Sequence, residues 1–348
     1  MTLHASLVPS AADQIAAAID AAGGVIPFSE FMRISLYGDY GFYSQSGRVG
    51  RRGDFITSPE VGPLFGAVIA NALDAWWNEL GKPAEFTVVD VGAGPGTLAR
   101  GVLAAEPECM DAMRYVAVDV SESQRALHPA GIDSRATMPD RPIVGVVLAN
   151  ELLDNLPFEL FVFDSGWKQA FVSAGDDGQF GEVLRNAVVP KFLPTSASHG
   201  ARVPIQTAAS EWIRNAHGLI DHGQLVAIDY CSATTAELSA RPWREWLRTF
   251  RHHERGTHYL LNPGDQDITN QVVIEQLPKP TSETSQADFL RQWGIDDLVT
   301  QGRNYWSEKS GAPDLAALKM RSRVSEAEAL CDESGLGSFT VLRWECSS

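Results

Sequence analysis

Apolar residues recur along this chain with two different periods, and the change from one to the other divides it into elements. From Ser10 to Ala22 they fall at helical spacing. Ile15 and Ile19 share a face, Ser10 stands where an N-cap acceptor belongs, and Gly23-Gly24 ends the run. Pro27 to Tyr43, with Phe28, Phe31, Met32, Ile34, Leu36 and Tyr37, predicts a second helix running into an aromatic turn at Gly38-Asp39-Tyr40-Gly41. Gly47 to Gly53 reads as loop. The strongest amphipathic pattern lies between Pro63 and Leu80. Leu64, Val68, Ala72 and Trp76 form one stripe beside Phe65, Ile69 and Leu73, Pro63 suits a first helical turn, and Gly81-Lys82-Pro83 stops it.

From residue 85 the pattern shifts to short, unbroken apolar runs. Phe86 to Val91, Tyr115 to Asp119, Ile143 to Ala149 and Leu225 to Tyr230 read as buried strands, with a helix from Thr97 to about Glu106 after the first. Strands alternating with helices predict an α/β protein with a mostly parallel sheet covered on both faces. The long connection 155–222 carries Phe158 to Phe163, a turn at Asp164-Ser165-Gly166 and Trp167 to Ala174, which predicts an inserted antiparallel hairpin, then a helix over Ser210 to Ala216. Residues 232–285 read as irregular around a Pro263-Gly264 turn, and Ser338 to Trp344 as a closing strand. The division this implies is an N-terminal helical cap and loop over 1–62 and a core over 63–348, with insertions at about 155–222 and 232–285.

Composition narrows the class. With 44% apolar and 21% charged residues the chain is globular rather than disordered. No apolar run approaches the roughly 18–20 residues of a membrane span, and no basic segment followed by an apolar one opens the chain. Cys109, Cys231, Cys331 and Cys346 stand singly, without metal or disulfide spacing. These features together predict a cytoplasmic protein without a membrane span or a metal. A net charge of −16 argues against nucleic acid as a partner. It would steer a cationic partner such as a basic peptide, or serve only solubility.

The candidate chemistry begins at Asp90-Val91-Gly92-Ala93-Gly94-Pro95-Gly96, where glycines follow the first strand directly. In open α/β sheets ligands bind at the carboxyl ends of the strands, and glycine lets the backbone turn sharply and the ligand lie against it. A dinucleotide loop spaces its glycines G-x-G-x-x-G. Here Gly96 follows Gly94 by two residues, and Thr97 stands where the dinucleotide glycine would be. The pattern, with Asp90 two places before Gly92, is similar to motif I of class I methyltransferases, whose cofactor is S-adenosyl-L-methionine. Asp90, Gly92, Ala93, Gly94 and Gly96 are therefore the candidate cofactor loop. Asp119, at the end of the second strand, is placed to accept hydrogen bonds from ribose hydroxyls.

A second constellation, Asn150-Glu151-Leu152-Leu153-Asp154, follows the strand Ile143 to Ala149 and so starts at the same sheet edge. Asn150 and Glu151 can point at a transferred group, and Glu151, Asp154 and Glu159 can form an acidic wall. A guanidinium titrates only above about pH 12, so a methyltransferase must position it and localise its charge. Carboxylates gripping it bidentately would do so. Glu151 is the leading candidate, with Asn150 and Asp154 beside it. The bland reading of Glu151 is a carboxylate favoured by a helix dipole.

The order of these motifs resembles the DUF185 family, which includes the MidA proteins. The resemblance rests on Ile26-Pro27-Phe28, Phe31-Met32-Arg33, Leu36-Tyr37 and Gly41-Phe42-Tyr43. It continues through Arg52 to Glu60, Leu64-Phe65-Gly66, the glycine loop and Ala149 to Pro157. Arg202-Val203-Pro204, Ile228-Asp229-Tyr230, Arg251-His252-His253 and Pro263 to Thr269 complete it. It implies a class I, Rossmann-like methyltransferase core of seven strands with an N-terminal helical cap and inserted strands. It implies S-adenosyl-L-methionine as cofactor and a protein substrate, such as a subunit of a respiratory complex, methylated on arginine. Thr57 and Glu60, in its most distinctive stretch, would cover the cofactor or line the substrate channel, or cap the helix that follows. His253 is a candidate proton acceptor. The chain departs from the family at Gln271, where a histidine is usual, and at Gly38-Asp39, where relatives often have His-Pro. No aromatic platform for an adenine is evident between Asp119 and Ile143. A non-catalytic assembly factor on the same fold, a small-molecule methyltransferase and a nicotinamide oxidoreductase are the alternatives.

Overall fold

The computed structural model describes residues 10–44, 57–251, 254–312 and 314–346. The predicted loop Gly47 to Gly53, the stretch 52–56 and His253 lie outside them. Seven strands form the central sheet, numbered here in chain order: β1 (Phe86–Val91), β2 (Met113–Val118), β3 (Asp133–Arg135), β4 (Ile143–Asn150), β5 (Ile220–Asp229), β6 (Ser282–Ser285) and β7 (Thr340–Cys346). Their spatial order is β6-β7-β5-β4-β1-β2-β3. The five strands from β5 to β3 are parallel, and β7 pairs antiparallel with both β5 and β6.

All six residues of β1 are buried, which is why it reads as an unbroken apolar run rather than an alternation. Alternate side chains nevertheless serve opposite faces. Val88 packs with Val146, Val226 and the stripe Leu64, Val68, Ala72 and Trp76 of the helix Pro63–Glu79. Val89 and Val91 pack on the other side with Val147, Ala227 and Ile213 of the helix Thr207–Gly218. The chain runs from β1 through β2 to β3 on one side and then crosses back to β4 on the other side of β1, so a crevice opens at the carboxyl ends of these strands. Register places Val91 beside Val118 and Ala149 at that edge.

A second, antiparallel sheet joins Ile26–Pro27, Glu159–Phe163, Trp167–Ala174, Phe180–Arg185 and Arg202–Ile205. The predicted hairpin is its centre, and Phe180–Arg185 adds a third strand to it. The helices Ala11–Ala21 and Phe28–Tyr37 bury Ile15, Ile19, Phe28 and Phe31 with Phe158, Leu160 and Val172 of this sheet. Ser10 caps the first helix, accepting the Asp13 N–H at 3.2 Å. The second helix stops at Gly38 and does not run on to Tyr43. A side chain at Gly41 would meet Leu36 O at 2.6 Å, and the chain folds back there into the single turn Phe42–Ser44.

Residues 232–285 are not irregular. Leu247–Arg251 pairs antiparallel with Glu254–Arg255 and Asp267–Asn270, and β6 belongs to the central sheet. Asp267–Asn270 has no apolar pattern to read, because three of its four buried side chains are polar and hydrogen-bonded within the protein. Three helices, Gln286–Gln292, Ile295–Lys309 and Leu315–Leu330, precede β7.

Where the helices Pro63–Glu79 and Thr97–Ala104 cross, Gly66 meets Gly101, and a Cβ on Gly66 would lie 2.6 Å from Gly101 backbone carbon. This contact seats the helix that follows the glycine loop. Gly66→Ala is expected to lower stability by about 1–3 kcal/mol, the usual cost of overpacking. Urea unfolding checks this, and an unchanged midpoint would show that the helices separate freely.

Candidate active site

The loop after β1 is built by backbone hydrogen bonds before any side chain acts. Gly92 N–H and Ala93 N–H both donate to Val118 O, at 2.9 and 3.1 Å, tying the end of β1 to the end of β2. Gly92, Gly94 and Gly96 have φ of 72°, 52° and 77°, left-handed values that favour glycine. Gly94 N–H donates to Asp119 Oδ2 at 2.9 Å, and Ser121 N–H to Asp119 Oδ1 at 2.8 Å. His128, which no sequence signal singles out, closes the far side, with Nε2 2.9 Å from Gly94 O and Nδ1 2.8 Å from Ser134 Oγ.

This loop forms one wall of a cavity of about 420 Å³, a size suited to a nucleoside-like ligand. Asp90, Asp119, Asn150, Glu151, Thr57 and Glu60 also line it, so most of the predicted site residues meet in one place. Thr57 and Glu60 come from the turn Ser58–Val61, where Thr57 N–H reaches Glu60 Oε2 at 3.4 Å. The stretch thus lines the cavity and caps only its own turn; it does not cap the long helix that follows, whose N-cap is Gly62, without a side-chain cap of its own. Val120, Gln124, Ala136, Thr137 and Met138 line another part of the cavity, with Leu152, Leu156 and Trp212. Between Asp119 and Ile143 the lining residues are aliphatic, polar or thioether and none is aromatic, and they are scattered singly in sequence and so without a pattern to find.

Asp90 is buried, accepts the Tyr115 hydroxyl at 3.0 Å, and has its pKa pushed up to about 7 by burial. Glu151 follows β4 with φ 52°, a left-handed conformation that a non-glycine residue holds only under constraint. Its N–H donates to Ile228 O at 2.8 Å. Its carboxylate accepts Asn150 Nδ2 at 3.2 Å, Ser58 N–H at 3.4 Å and the Tyr230 hydroxyl at 3.4 Å. Burial, then the charge of Asp154, raises its pKa to about 8. Asn150 Oδ1 is buried and lacks a hydrogen-bond partner among the described residues.

Asp154 is buried and does not line the cavity. It accepts the Thr269 hydroxyl and stands behind Glu151 with Asp229 and Asp267. Burial lifts Asp154 to about 6 and Asp267 to about 7, and raises Asp229 well above the ordinary carboxylate range. Glu159 also lies off the cavity, bonded to Ser29 Oγ at 2.6 Å and to Gln169. Gln271 holds the Ser232 hydroxyl at 2.8 Å and Arg241 at 3.0 Å and is likewise not a cavity residue. The structure adds Tyr37 and Tyr43 to the cavity wall. Their rings stack at 5.5 Å, with hydroxyls on Asn155 O at 3.1 Å and Asp267 Oδ1 at 3.0 Å.

A parallel sheet with one antiparallel strand, a left-handed glycine loop and a carboxylate at the carboxyl end of each of β1, β2 and β4 define a class I S-adenosylmethionine-dependent methyltransferase. A family model described as "Putative S-adenosyl-L-methionine-dependent methyltransferase" matches residues 68–292, and the chain belongs to that family. The solved structure of a COG1565 superfamily member from Burkholderia thailandensis, bound to S-adenosyl-homocysteine, superposes with a TM-score of 0.83. It shares 27% identity over 96% of this chain and 91% of its own. Among curated relatives, "Protein arginine methyltransferase NDUFAF7, mitochondrial" of Mus musculus is 25% identical over 78% of this chain and 72% of the relative. The Homo sapiens protein of the same name is 26% identical over 78% and 71%. The homologue from Drosophila melanogaster matches more strongly, at 44%, but over 81 residues, 18% of its length.

These names correct one expectation. The curated relatives are named as mitochondrial, so the cytoplasmic placement does not stand. Unpaired cysteines fit any reducing compartment and never distinguished one from another. No helix among the described residues is long and apolar enough to cross a membrane.

The raised carboxylates make the ligand-free protein sensitive to pH. Asp90, Glu151, Asp154 and Asp267 keep protons in the folded state that the unfolded chain has already released. Their contribution to stability is complete below the ordinary carboxylate values near 4 and is lost as pH rises towards about 8, by at most about 1.4 kcal/mol per pH unit for each group. Urea unfolding should therefore give a falling stability from about pH 5 to about pH 8, with a shallower upper part in Glu151→Gln. An identical slope in that variant would mean that Glu151 titrates normally.

Proposed function

We propose that this methyltransferase acts on an arginine side chain of a protein. The observation that carries the reading is Glu151, oriented by three donors on the cavity wall and kept from ionising easily by its burial and then by the charge of Asp154. A guanidinium supplies the charge that such a group lacks. The stacked Tyr37–Tyr43 pair offers a flat surface against which its planar face can rest. The arginine methyltransferase names of the curated relatives support the same substrate.

The cavity residues fit S-adenosylmethionine. A Cβ on Gly94 would meet nothing within 4 Å, so the missing side chain leaves the loop open where the cavity begins. Asp90, Gly92, Ala93 and Gly94 would hold the methionine end, whereas Gly96, the other predicted loop glycine, does not line the cavity and turns its bare face to Pro129, where a Cβ would lie 2.9 Å from the ring Cδ. Asp119, already fixed by two N–H groups, would accept the ribose hydroxyls, and Val120, Ala136 and Met138 would hold the base. Thr57 and Glu60 would cover the cofactor. When bound, the cofactor supplies an electrophilic methyl group on a sulfonium.

The remaining work falls to the chain. Glu151 and Asn150 orient the guanidinium and localise its charge on the nitrogens that face the carboxylate, leaving another nitrogen free to attack. Asp154 acts through Glu151, raising its proton affinity. The proton lost from the guanidinium on methylation can then rest on the Glu151 carboxylate, whose pKa burial and Asp154 raise to about 8 in the ligand-free protein. A subunit of a respiratory complex is the first substrate to try.

The test is transfer of labelled methyl groups to arginine-containing peptides and to the same peptides with lysine in place of arginine. Label is expected on arginine alone, and Glu151→Gln should cut kcat by about 10²–10³ with little change in S-adenosylhomocysteine affinity. Label on lysine, or an unchanged rate in the variant, would remove the arginine reading.

A further inference from the structure

The helix Leu315–Leu330 contributes nothing to the cavity lining, yet it sends a carboxylate to the segment that does. Glu326 is only 6% exposed. Its Oε2 accepts the N–H of Leu64 at 2.9 Å, in the first turn of the helix Pro63–Glu79, and its Oε1 accepts the Ser322 hydroxyl at 2.6 Å. It lies against Gly62, where a Cβ would fall 2.2 Å from Glu326 Cδ. The Gly62 backbone is extended, with φ 168°, so its bare face serves the approach of the carboxylate and not a special backbone conformation. Gly62 links that helix to the turn Ser58–Val61, which puts Pro59 and Glu60 on the cavity wall and brings Ser58 N–H to Glu151 Oε1. The other side of the turn is tied to the same C-terminal region. The Ser58 hydroxyl donates to Gln286 Oε1 at 2.9 Å, and Gln286 Nε2 to Leu330 O at 3.0 Å.

We propose that Glu326 is a positioning residue for the cavity. By satisfying the start of the helix Pro63–Glu79 across the bare face of Gly62, it fixes the Ser58–Val61 turn and so the placing of Thr57 and Glu60. A four-residue turn has too few bonds of its own to hold one position, whereas a buried carboxylate aimed at free N–H groups is both satisfied by them and restrains them. The effect on the cofactor rests on the reading of Thr57 and Glu60 given above. If the turn is in place for only a fraction of the time, apparent affinity falls by that fraction.

S-adenosylhomocysteine is titrated calorimetrically into wild type, Glu326→Gln, Glu326→Ala, Gly62→Ala and the Gly62→Ala/Glu326→Ala double variant, at a temperature where circular dichroism shows each to be folded. Amide hydrogen exchange is followed in parallel. Glu326→Ala and Gly62→Ala should each weaken binding about tenfold, whereas Glu326→Gln, which keeps an acceptor for Leu64 N–H, should stay within about threefold. Exchange should quicken over residues 57–64 and remain slow in β1 and β4. Because both alanine variants break one contact, the double variant should be no worse than either alone. Wild-type affinity in Glu326→Ala, additive losses, or faster exchange throughout the sheet would overturn the proposal. Failure of wild type to bind S-adenosylhomocysteine would instead remove the cofactor reading, and exchange at 57–64 would still decide whether Glu326 holds the turn.

Discussion

The site depends on how β1 is tied to β2. One carbonyl, Val118 O, accepts two N–H groups from the glycine loop, and one carboxylate, Asp119, accepts the N–H of Gly94 and of Ser121. These bonds force the chain into left-handed conformations at Gly92 and Gly94, and only a residue without a side chain adopts them at little cost. The cavity therefore starts on bare backbone. Without this tie the loop would follow β1 into its helix by some other route, and Asp90, Asp119 and Glu151 would face no common space.

The second constraint is desolvation. Four acidic groups, Glu151, Asp154, Asp229 and Asp267, gather behind and beside the cavity, all with pKa values raised by burial. Burying ionised carboxylates so close together is unfavourable, and partial protonation relieves it. The hydroxyls of Tyr43, Tyr230 and Thr269 supply part of the remaining hydrogen bonding. A fold selected only for stability has little use for such a cluster, whereas the proposed grip on a cation followed by proton uptake would use it.

Much of this was legible in the chain because a parallel core writes itself as unbroken apolar runs. β1 agrees residue for residue with the run Phe86 to Val91, and the glycine spacing separated the cofactor class from dinucleotides before any geometry was known. Asp154 and Glu159 show the limit of that reading. They follow Glu151 closely in sequence, but the single turn Leu153–Asn155 carries Asp154 inward to Thr269 and the next strand carries Glu159 away to Ser29. The strand Asp267–Asn270 was hidden because its buried residues are mostly polar, and His128, Tyr115 and Glu326 because each acts through a partner far away in the chain. Pairings across long sequence separations leave no period to detect.

The account stands most directly on what the cavity binds. Calorimetry should compare S-adenosylhomocysteine with NADH on wild type and on Gly94→Val, whose branched side chain would project from the loop into space that is open in the structure. Binding of S-adenosylhomocysteine by wild type, none of NADH, and loss of binding in the folded variant are predicted. A wild-type protein that binds NADH instead, or a Gly94→Val variant that binds S-adenosylhomocysteine as tightly as wild type, would contradict the placement of the cofactor on the glycine loop.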